Sequence, residues 1–167
     1  LLVDVGTNTE IILGMPGKIY AASCPAGPAF EGGDITYGMP GYDGAIEKIS
    51  IMKDSSTSFD VIGDSKPIGI CGSGLIDLLA ELKRSNLMND LGRLKDDSKE
   101  FVFSEQNSLS ISNSDISSLA QAKAANYCGQ AIILKNSGVN LDKISNYYLA
   151  GGFANYINID NAIDIGF

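Results

Sequence analysis

The sequence contains no histidine and no tryptophan, and its three cysteines, Cys24, Cys71 and Cys128, are far apart. Without histidine, a Ser-His-Asp triad and a histidine-ligated metal site are both excluded within this chain. Iron–sulfur clusters and structural zinc sites need clustered thiolates, so we expect neither here. The odd number of cysteines and the lack of an opening signal segment predict a cytoplasmic protein with reduced thiols.

Positive charge is also scarce, because 12 Lys and Arg stand against 20 Asp and Glu, for a formal net charge of -8. A nucleic-acid partner requires a basic surface, so we expect none. We also expect no membrane insertion, since no apolar run approaches the roughly 20 residues of a membrane span. The 44% of apolar residues and 19% of charged residues are typical of a globular chain.

The apolar pattern predicts an α/β fold, with a mixed sheet flanked by helices. A strand at Leu1–Val5 precedes two strands, Glu10–Met15 and Lys18–Ser23, and together they predict three antiparallel strands. The chain starts within a strand pattern and ends without a polar tail. We therefore expect residues 1–167 to be a single subdomain, cut from a longer protein.

Two helices are predicted from three- and four-residue spacing. The first covers Gly74–Ser85, and the second is capped by Asn113 or Ser114 and ends at Gly138. The predicted buried face of the second helix comprises Leu119, Ala122, Ala125, Ala131, Ile132 and Leu134.

The first of four glycine-rich strand ends reads Asp4-Val5-Gly6-Thr7-Asn8-Thr9-Glu10. Gly6 permits close approach of the backbone to a ligand, and the amides that follow can face an anion. Thr7 and Asn8 add short donors, and Asp4 is placed to hold Mg²⁺ through water. A plain hairpin turn with a capping aspartate is the alternative interpretation.

The second and third segments are weaker signals. The loop at 26–32 offers Glu31 as a polar group, although its composition favours a structural loop with a solvated Glu31. The sequence Gly69-Ile70-Cys71-Gly72-Ser73-Gly74 places glycines at a strand-to-helix junction, where helix amides can meet an anion. A tight structural turn explains the junction nearly as well. Cys71 lacks any histidine or nearby cation that would activate it as a nucleophile.

The fourth segment, Ala150-Gly151-Gly152-Phe153, follows a predicted buried strand. Its two glycines allow a flat ring or a phosphate to lie against the backbone. One strand end suited to phosphates and one with a Gly-Gly pair are what a nucleotide cleft at a sheet edge requires. The first and fourth segments together therefore predict a nucleotide as ligand.

Asp4-Val5-Gly6-Thr7-Asn8, combined with Ala150-Gly151-Gly152-Phe153, resembles the actin-like ATPase superfamily, in which two RNase H-like subdomains clamp ATP. A closer resemblance follows from five segments in their order along the chain. This series resembles the C-terminal domain of the reductive activators of corrinoid-dependent methyltransferases, and it comprises residues 4–10, 26–32, 69–77, 120–125 and 149–155. It covers nearly the whole chain, and this chain is similar to the second subdomain only.

The resemblance implies a protein that couples ATP to the reduction of a corrinoid protein from Co(II) to Co(I). It implies that Asp4 lies near Mg²⁺, that Gly6, Thr7 and Asn8 hold phosphate, and that Gly151, Gly152 and Phe153 contact the adenosine. A [2Fe–2S] cluster is expected only in an N-terminal part outside this chain. A homodimer is a further expectation, since an isolated half-domain exposes a face made for a partner.

Thr9 departs from the family pattern, which commonly has glycine there. Because threonine does not accept positive φ freely, we expect an altered phosphate turn. Ala154 is a milder departure at another common glycine position. Two other functions remain open at this point: half of a small-molecule kinase of the same superfamily, and a non-catalytic interaction or dimerisation module.

Overall fold

The computed structural model describes residues 1–25, 28–63, 65–95 and 98–167, which form a mixed α/β arrangement. The strands are β1 (Leu2–Val5), β2 (Thr9–Met15), β3 (Lys18–Cys24), β4 (Ala45–Ile51), β5 (Thr57–Val61), β6 (Gly69–Ile70), β7 (Glu100–Ser104), β8 (Leu109–Ser112) and β9 (Tyr148–Ala150). The α-helices are α1 (Gly72–Arg84), α2 (Asn113–Ser137) and α3 (Ile159–Asp164). Short 3-10 turns cover Pro28–Glu31, Glu105–Asn107, Leu141–Lys143 and Phe153–Asn155.

The largest sheet is mixed, with the strand order β3-β2-β1-β9. Strands β1, β2 and β3 are antiparallel neighbours, which confirms the predicted three-stranded unit, whereas β9 runs parallel to β1. Alternate side chains of β1 and β2 point towards α2 and form a buried cluster with it: Val3, Val5, Ile11, Leu13 and Ile133. Burial of each such aliphatic side chain contributes about 1.5–3 kcal/mol relative to exposure.

A second sheet has the order β5-β4-β6 and packs against α1. The apolar residues of α1 are almost fully buried in the larger of the two cores, which Phe30, Phe103 and Ile111 also enter. Strands β7 and β8 form a separate hairpin that leads into α2. In the part of the chain that is described, every helix is too short or too polar to cross a bilayer.

The helix boundaries differ slightly from those predicted. Helix α1 begins at Gly72, two residues before Gly74, directly after the end of β6. Helix α2 is capped by Ser112, so the predicted caps Asn113 and Ser114 are wrong by one or two positions. The hydroxyl of Ser112 accepts from the Asp115 amide at 3.1 Å, and the Asp115 carboxylate accepts from the Ser112 amide at 2.8 Å. This reciprocal capping box favours Ser112 over its neighbours.

The predicted buried face of α2 is correct in its first half and partly wrong in its second. Leu119 and Ala122 are buried and Ala125 is half-buried. Leu134 is half-buried and packs on the core, but Ala131 is exposed and Ile132 is 55% exposed, whereas Ile133 is buried. The helix carries small apolar residues on several sides, so spacing alone could not fix which side meets the sheet. Close packing at Gly129 decides it, since an added Cβ there would lie 2.5 Å from Ile11 Cδ1.

Candidate functional site

All four glycine-rich segments contribute to one open cleft of about 870 Å³. The lining residues from these segments are Asp4, Val5, Gly6, Phe30, Glu31, Cys71, Gly72, Ser73, Gly151, Gly152 and Phe153. The facing side is formed by the segment 39–42, by Glu47 of β4 and by residues 61–63. Segments that lie up to about 150 positions apart in the sequence therefore meet in a single site.

The first and fourth segments touch because β1 and β9 are parallel neighbours, whose carboxyl ends lie at the same sheet edge. Asp4 is the register partner of Ala150. Gly151 has φ +92°, and a Cβ on it would lie 2.6 Å from Asp4 Oδ1 and 2.7 Å from the Val5 carbonyl oxygen. Only glycine fits this position, and its close approach fixes the Asp4 carboxylate against the fourth segment.

The turn after β1 is held by its own backbone. The Gly6 amide donates to the Asn8 carbonyl oxygen at 3.0 Å, so this amide is already engaged within the turn. Thr7 and Asn8 are exposed and lie outside the cleft lining. Thr7 reaches the cleft only indirectly, because its Oγ1 donates to Glu31 Oε2 at 2.7 Å.

Thr9 does not need the backbone freedom of the glycine it replaces. It is the first residue of β2, pairs with Val5 and Cys24, and has no positive φ. Its side chain is fully buried, and its Oγ1 has no hydrogen-bond partner among the described residues.

The strand partner of Thr9, Cys24, is a neutral thiol at pH 7. Burial, followed by the charges of nearby Glu10 and Cys128, raises the pKa of Cys24.

The amino terminus of α1 forms the floor of the cleft. Its N-cap, Cys71, makes no side-chain capping hydrogen bond, and the first turn contains no acidic residue. Ser73 Oγ donates to the Glu47 carbonyl oxygen at 3.0 Å, which ties the helix start to β4. The positive end of the helix dipole is thus directed at the cleft, where an anion can be accommodated.

An aromatic cluster supports the fourth segment. The ring of Phe153 lies 6.0 Å from that of Phe30 and 5.9 Å from that of Phe167, measured between centroids. The start of α1 packs onto the same cluster, because a Cβ on Gly72 would lie 2.1 Å from the Phe30 carbonyl oxygen and 2.7 Å from Phe153 Cε2. Phe153 is therefore half-buried and fixed in place while one side still lines the cleft.

A buried carboxylate connects α1 with α3, the helix that follows the fourth segment. Asp77 is 6% exposed, and Asn161 Nδ2 donates to its Oδ1 at 2.6 Å. Burial raises the pKa of Asp77, which the hydrogen bond from Asn161 partly offsets. Arg84 extends the network to Asn161 and Asp164, so α1 and α3 share one polar connection outside the cleft lining.

The cleft is acidic. Three carboxylates, from Asp4, Glu31 and Glu47, line it, and no Lys or Arg occurs among its described lining residues. Within the described ranges, no three or more Cys, Asp or Glu side chains come together as a metal site. A cation in this cleft would therefore need ligands beyond the protein, such as water or an anionic ligand.

Glu31 is the site residue that composition undervalued. Its contact with Thr7 joins positions 24 residues apart, which no local pattern could indicate. Residues 26 and 27 of the same predicted loop lie outside the described residues. Gly32 and Gly33 follow Glu31, and their amides donate back to Ala29 and Pro28, which closes the 3-10 turn.

Comparison with known proteins places this geometry in a family. A family described as the C-terminal domain of RACo, the ASKHA domain, matches residues 1–167. The corrinoid activation enzyme RamQ of Eubacterium limosum is 35% identical over 190 residues, covering 99% of this chain and 32% of that protein. The [Co(II) methylated amine-specific corrinoid protein] reductase of Methanosarcina barkeri is 24% identical over 187 residues, covering 99% of this chain and 34% of that protein.

A solved structure agrees with the sequence matches. The reductive activator for corrinoid, iron-sulfur protein superimposes with a TM-score of 0.87 at 37% identity, over 97% of this chain and 29% of that chain. This chain spans about a third of the length of the curated relatives it matches. The predicted actin-like ATPase fold is confirmed, and the chain belongs to the family of C-terminal ASKHA domains of RACo-type proteins.

Proposed function

We propose that this chain is the ATP-binding part of a protein that uses ATP to drive the reduction of a corrinoid protein from Co(II) to Co(I). The convergence of four glycine-rich segments on one cleft carries the proposal. The relatives' names support the reductive role, since they describe corrinoid activation and corrinoid reduction. Because the chain spans about a third of these proteins, the complete activity is assigned to the intact protein.

The cleft suits the two ends of a nucleotide in different ways. At the fourth segment, apart from Gly152 and its two chain neighbours, no described residue has an atom within 4 Å of a Cβ built on Gly152, so a flat ring has room beside it and Phe153. At the phosphate end, the amides at the start of α1 take the place of cationic side chains. We propose that residues 1–167 form one of two subdomains that clamp ATP, with the other elsewhere in the intact protein.

Asp4 is the residue that would hold Mg²⁺, through water. Mg²⁺ commonly keeps several waters and binds one or two carboxylates together with substrate phosphates, which matches a cleft without a dedicated cluster of acidic ligands. When bound, the ion neutralises phosphate charge. In this proposal Asp4, whose carboxylate lies close to Gly151, would meet the hydrated ion, and the turn of Gly6, Thr7 and Asn8 would flank the phosphates from the edge of the cleft.

The redox centre belongs, in this proposal, to another part of the intact protein. Four cysteine ligands are the rule for a [2Fe–2S] cluster, and this chain has three cysteines in separate places. The partner would be a corrinoid protein, and two copies of the intact protein would associate as a homodimer. The chain contributes nucleotide binding and its coupling, and the electron passes elsewhere.

Calorimetry with ATP and Mg²⁺ on the intact protein tests the nucleotide site. We expect measurable binding and a loss of about tenfold in affinity for Asp4→Asn, comparable to the loss of one charge-assisted contact. Asp142→Asn is the matched control, since Asp142 is an exposed carboxylate outside the cleft lining. Absence of ATP binding by the intact protein would refute the proposal.

Absorbance of the corrinoid tests the coupled activity. With an electron donor present, we expect the intact protein to convert Co(II) to Co(I) when ATP is added. At a limiting ATP concentration, we expect Asp4→Asn to form less Co(I), because it binds ATP more weakly. Equal Co(I) formation with and without ATP would contradict the proposed coupling. Transfer of the terminal phosphate to a small-molecule acceptor would instead identify a kinase.

A further inference from the structure

Thr7 and Glu31 form a hydrogen bond at the mouth of the cleft. Thr7 Oγ1 donates to Glu31 Oε2 at 2.7 Å. A hydroxyl group has one hydrogen and two lone pairs. Because its hydrogen is directed at the carboxylate, Thr7 offers only lone pairs to any third group. The Thr7 hydroxyl can therefore only accept a further hydrogen bond, whereas the phosphate contact expected for Thr7 would require it to donate one.

The backbone that carries Glu31 is fixed independently of Thr7. Glu31 ends a 3-10 turn in which Phe30 is 5% exposed and packs against Phe153 and Phe167. The amides of Gly32 and Gly33 close this turn with bonds of 3.1 and 2.8 Å. Core packing thus fixes the backbone of Glu31, and the hydrogen bond from Thr7 orients its exposed carboxylate.

The charge around this pair has one sign. Glu31, Asp4 and Glu47 line the cleft, and its described lining contains no Lys or Arg. A bare triphosphate entering this site meets carboxylates and an acceptor oxygen, which oppose it. The water shell of a divalent cation has hydrogens to donate, so it suits both the carboxylates and the oxygen of Thr7.

We propose that Glu31 is a positioning residue that makes nucleotide binding depend on a divalent cation. By accepting the hydrogen bond of the Thr7 hydroxyl, it leaves the Thr7 oxygen as an acceptor for a water bound to the cation of a metal–nucleotide complex. Metal-free nucleotide, which would need a donor at this point, is disfavoured. The inference rests on the proposed nucleotide-binding function and adds the group that sets its metal requirement.

The test measures ATP dissociation constants of the intact protein by calorimetry, once with excess Mg²⁺ and once with EDTA. The metal dependence is the dissociation constant with EDTA divided by the dissociation constant with Mg²⁺. A merely structural role of Glu31 would leave this ratio unchanged. The variants are Glu31→Ala, Thr7→Val, the double variant and Thr7→Ser, which keeps the hydroxyl. Both side chains are exposed, so folding is expected to persist and is checked by circular dichroism.

A matched control is available on the β7–β8 hairpin. There Ser110 Oγ donates to Glu100 Oε2 at 2.9 Å, which is another exposed hydroxyl–carboxylate pair, and neither residue lines the cleft. Glu100→Ala therefore removes an equal charge and an equivalent hydrogen bond. Its ratio is expected to match that of the unaltered protein.

We expect Glu31→Ala and Thr7→Val each to lower the ratio by about fivefold to tenfold, as for the loss of one charge-assisted hydrogen bond. The double variant is expected to fall no further, because Glu31 acts through Thr7. Thr7→Ser is expected to retain the ratio of the unaltered protein.

Three results overturn the inference while leaving the proposed function intact. The first is an unaltered protein that binds ATP equally well with and without Mg²⁺. The second is an unchanged ratio in Glu31→Ala, and the third is an effect of Glu31→Ala that persists in full when Thr7 is already Val. Absence of ATP binding under both conditions refutes the proposed function, and this inference with it.

Discussion

Two of the glycines that line the cleft are required by the packing of the chain itself. We call Gly72 and Gly151 the packed glycines. A Cβ on Gly72 would lie 2.1 Å from the Phe30 carbonyl oxygen, and one on Gly151 would lie 2.6 Å from Asp4 Oδ1. Gly151 also has φ +92°. These positions are glycine because no other residue fits the fold.

Two other glycines in the same cleft have no such explanation. We call Gly6 and Gly152 the open glycines. Among the described residues beyond the chain neighbours, a Cβ on Gly6 would meet only the Asn8 carbonyl oxygen, at 3.5 Å, and one on Gly152 would meet nothing within 4 Å. Neither has a positive φ. The comparison teaches that the fold needs the packed glycines, whereas the open ones keep space that a ligand would use.

The largest effect is expected from Gly72→Ala. Its Cβ would collide with the backbone of Phe30 and the ring of Phe153, so α1 or the aromatic cluster must move. We expect a loss of about 3 kcal/mol in the free energy of unfolding, measured by denaturant titration. Gly14→Ala is the control, since in the described part of the chain nothing beyond its two neighbours lies within 4 Å of a Cβ there. Equal stability of both variants would show that packing does not require glycine at position 72.

The adjacent pair Gly151 and Gly152 separates the two classes most directly. Gly151→Ala forces alanine to a left-handed backbone, and we expect a loss of about 1–3 kcal/mol in unfolding free energy. Gly152 has φ -59° and ψ -37°, which alanine adopts readily, so Gly152→Ala should gain about 0.4–1 kcal/mol.

The same Gly152→Ala variant is expected to bind ATP less tightly in calorimetry, although it is the more stable protein. A gain in stability with a loss in affinity would identify space reserved for a ligand. Unchanged affinity would leave Gly152 without a functional explanation.

Outside the cleft, the start of α2 has an electrostatic anchor, Asp115. Burial alone would raise its pKa, but hydrogen bonds from Ser112 and Thr36 outweigh burial and hold the pKa below the ordinary aspartate value of 3.8. Its contribution to stability is therefore complete above pH 3.8 and is lost as the pH falls through the lowered pKa. The unaltered protein should lose unfolding free energy when the pH is lowered from 7 to 3, and Asp115→Asn should lose less over the same range.

Asp77 provides the opposite case. Burial raises its pKa, so its charged form costs stability at neutral pH, and this cost disappears as the pH falls below the raised pKa. Asp77→Asn keeps an acceptor for Asn161 and should therefore be neutral or stabilising at pH 7. If both variants shift the acid dependence in the same direction, the assigned causes are wrong.

The smallest effect on folding is expected from Gly6→Ala. Its Cβ would make one ordinary contact, so the free energy of unfolding should change by less than about 0.5 kcal/mol. Because Gly6 lines the cleft, ATP affinity measured by calorimetry is expected to fall. A substantial loss of stability would move Gly6 into the packed class.

Local patterns were sufficient for the β1–β3 unit and for most of both long helices. They failed at two helix starts and on part of one helix face. The start of α1 at Gly72 depends on packing against the distant Phe30, whereas the cap at Ser112 is a local capping box with Asp115 that the prediction placed one or two positions too late. Ala131 and Ile132 of α2 were assigned to the wrong face because small apolar residues lie on several sides of the helix.

The candidate site was predictable in its parts and not in its assembly. The glycine-rich strand ends were visible as separate segments, and the family pattern related them to ATP. Glu31 could not be placed, because its partner Thr7 lies 24 positions away. The concern about Thr9 had a structural answer, since that residue begins β2 in an extended conformation.

The sequence by itself determined which chemistry was open to this protein. Without histidine and with only 12 Lys and Arg, it leaves backbone amides as the main donors for an anion, since composition fixes the available side chains. The tertiary structure decided which glycines are structural and which leave room, because only packing distances and φ distinguish identical residues. It also decided that Glu31 meets Thr7, because contacts between distant residues arise only when the chain has folded.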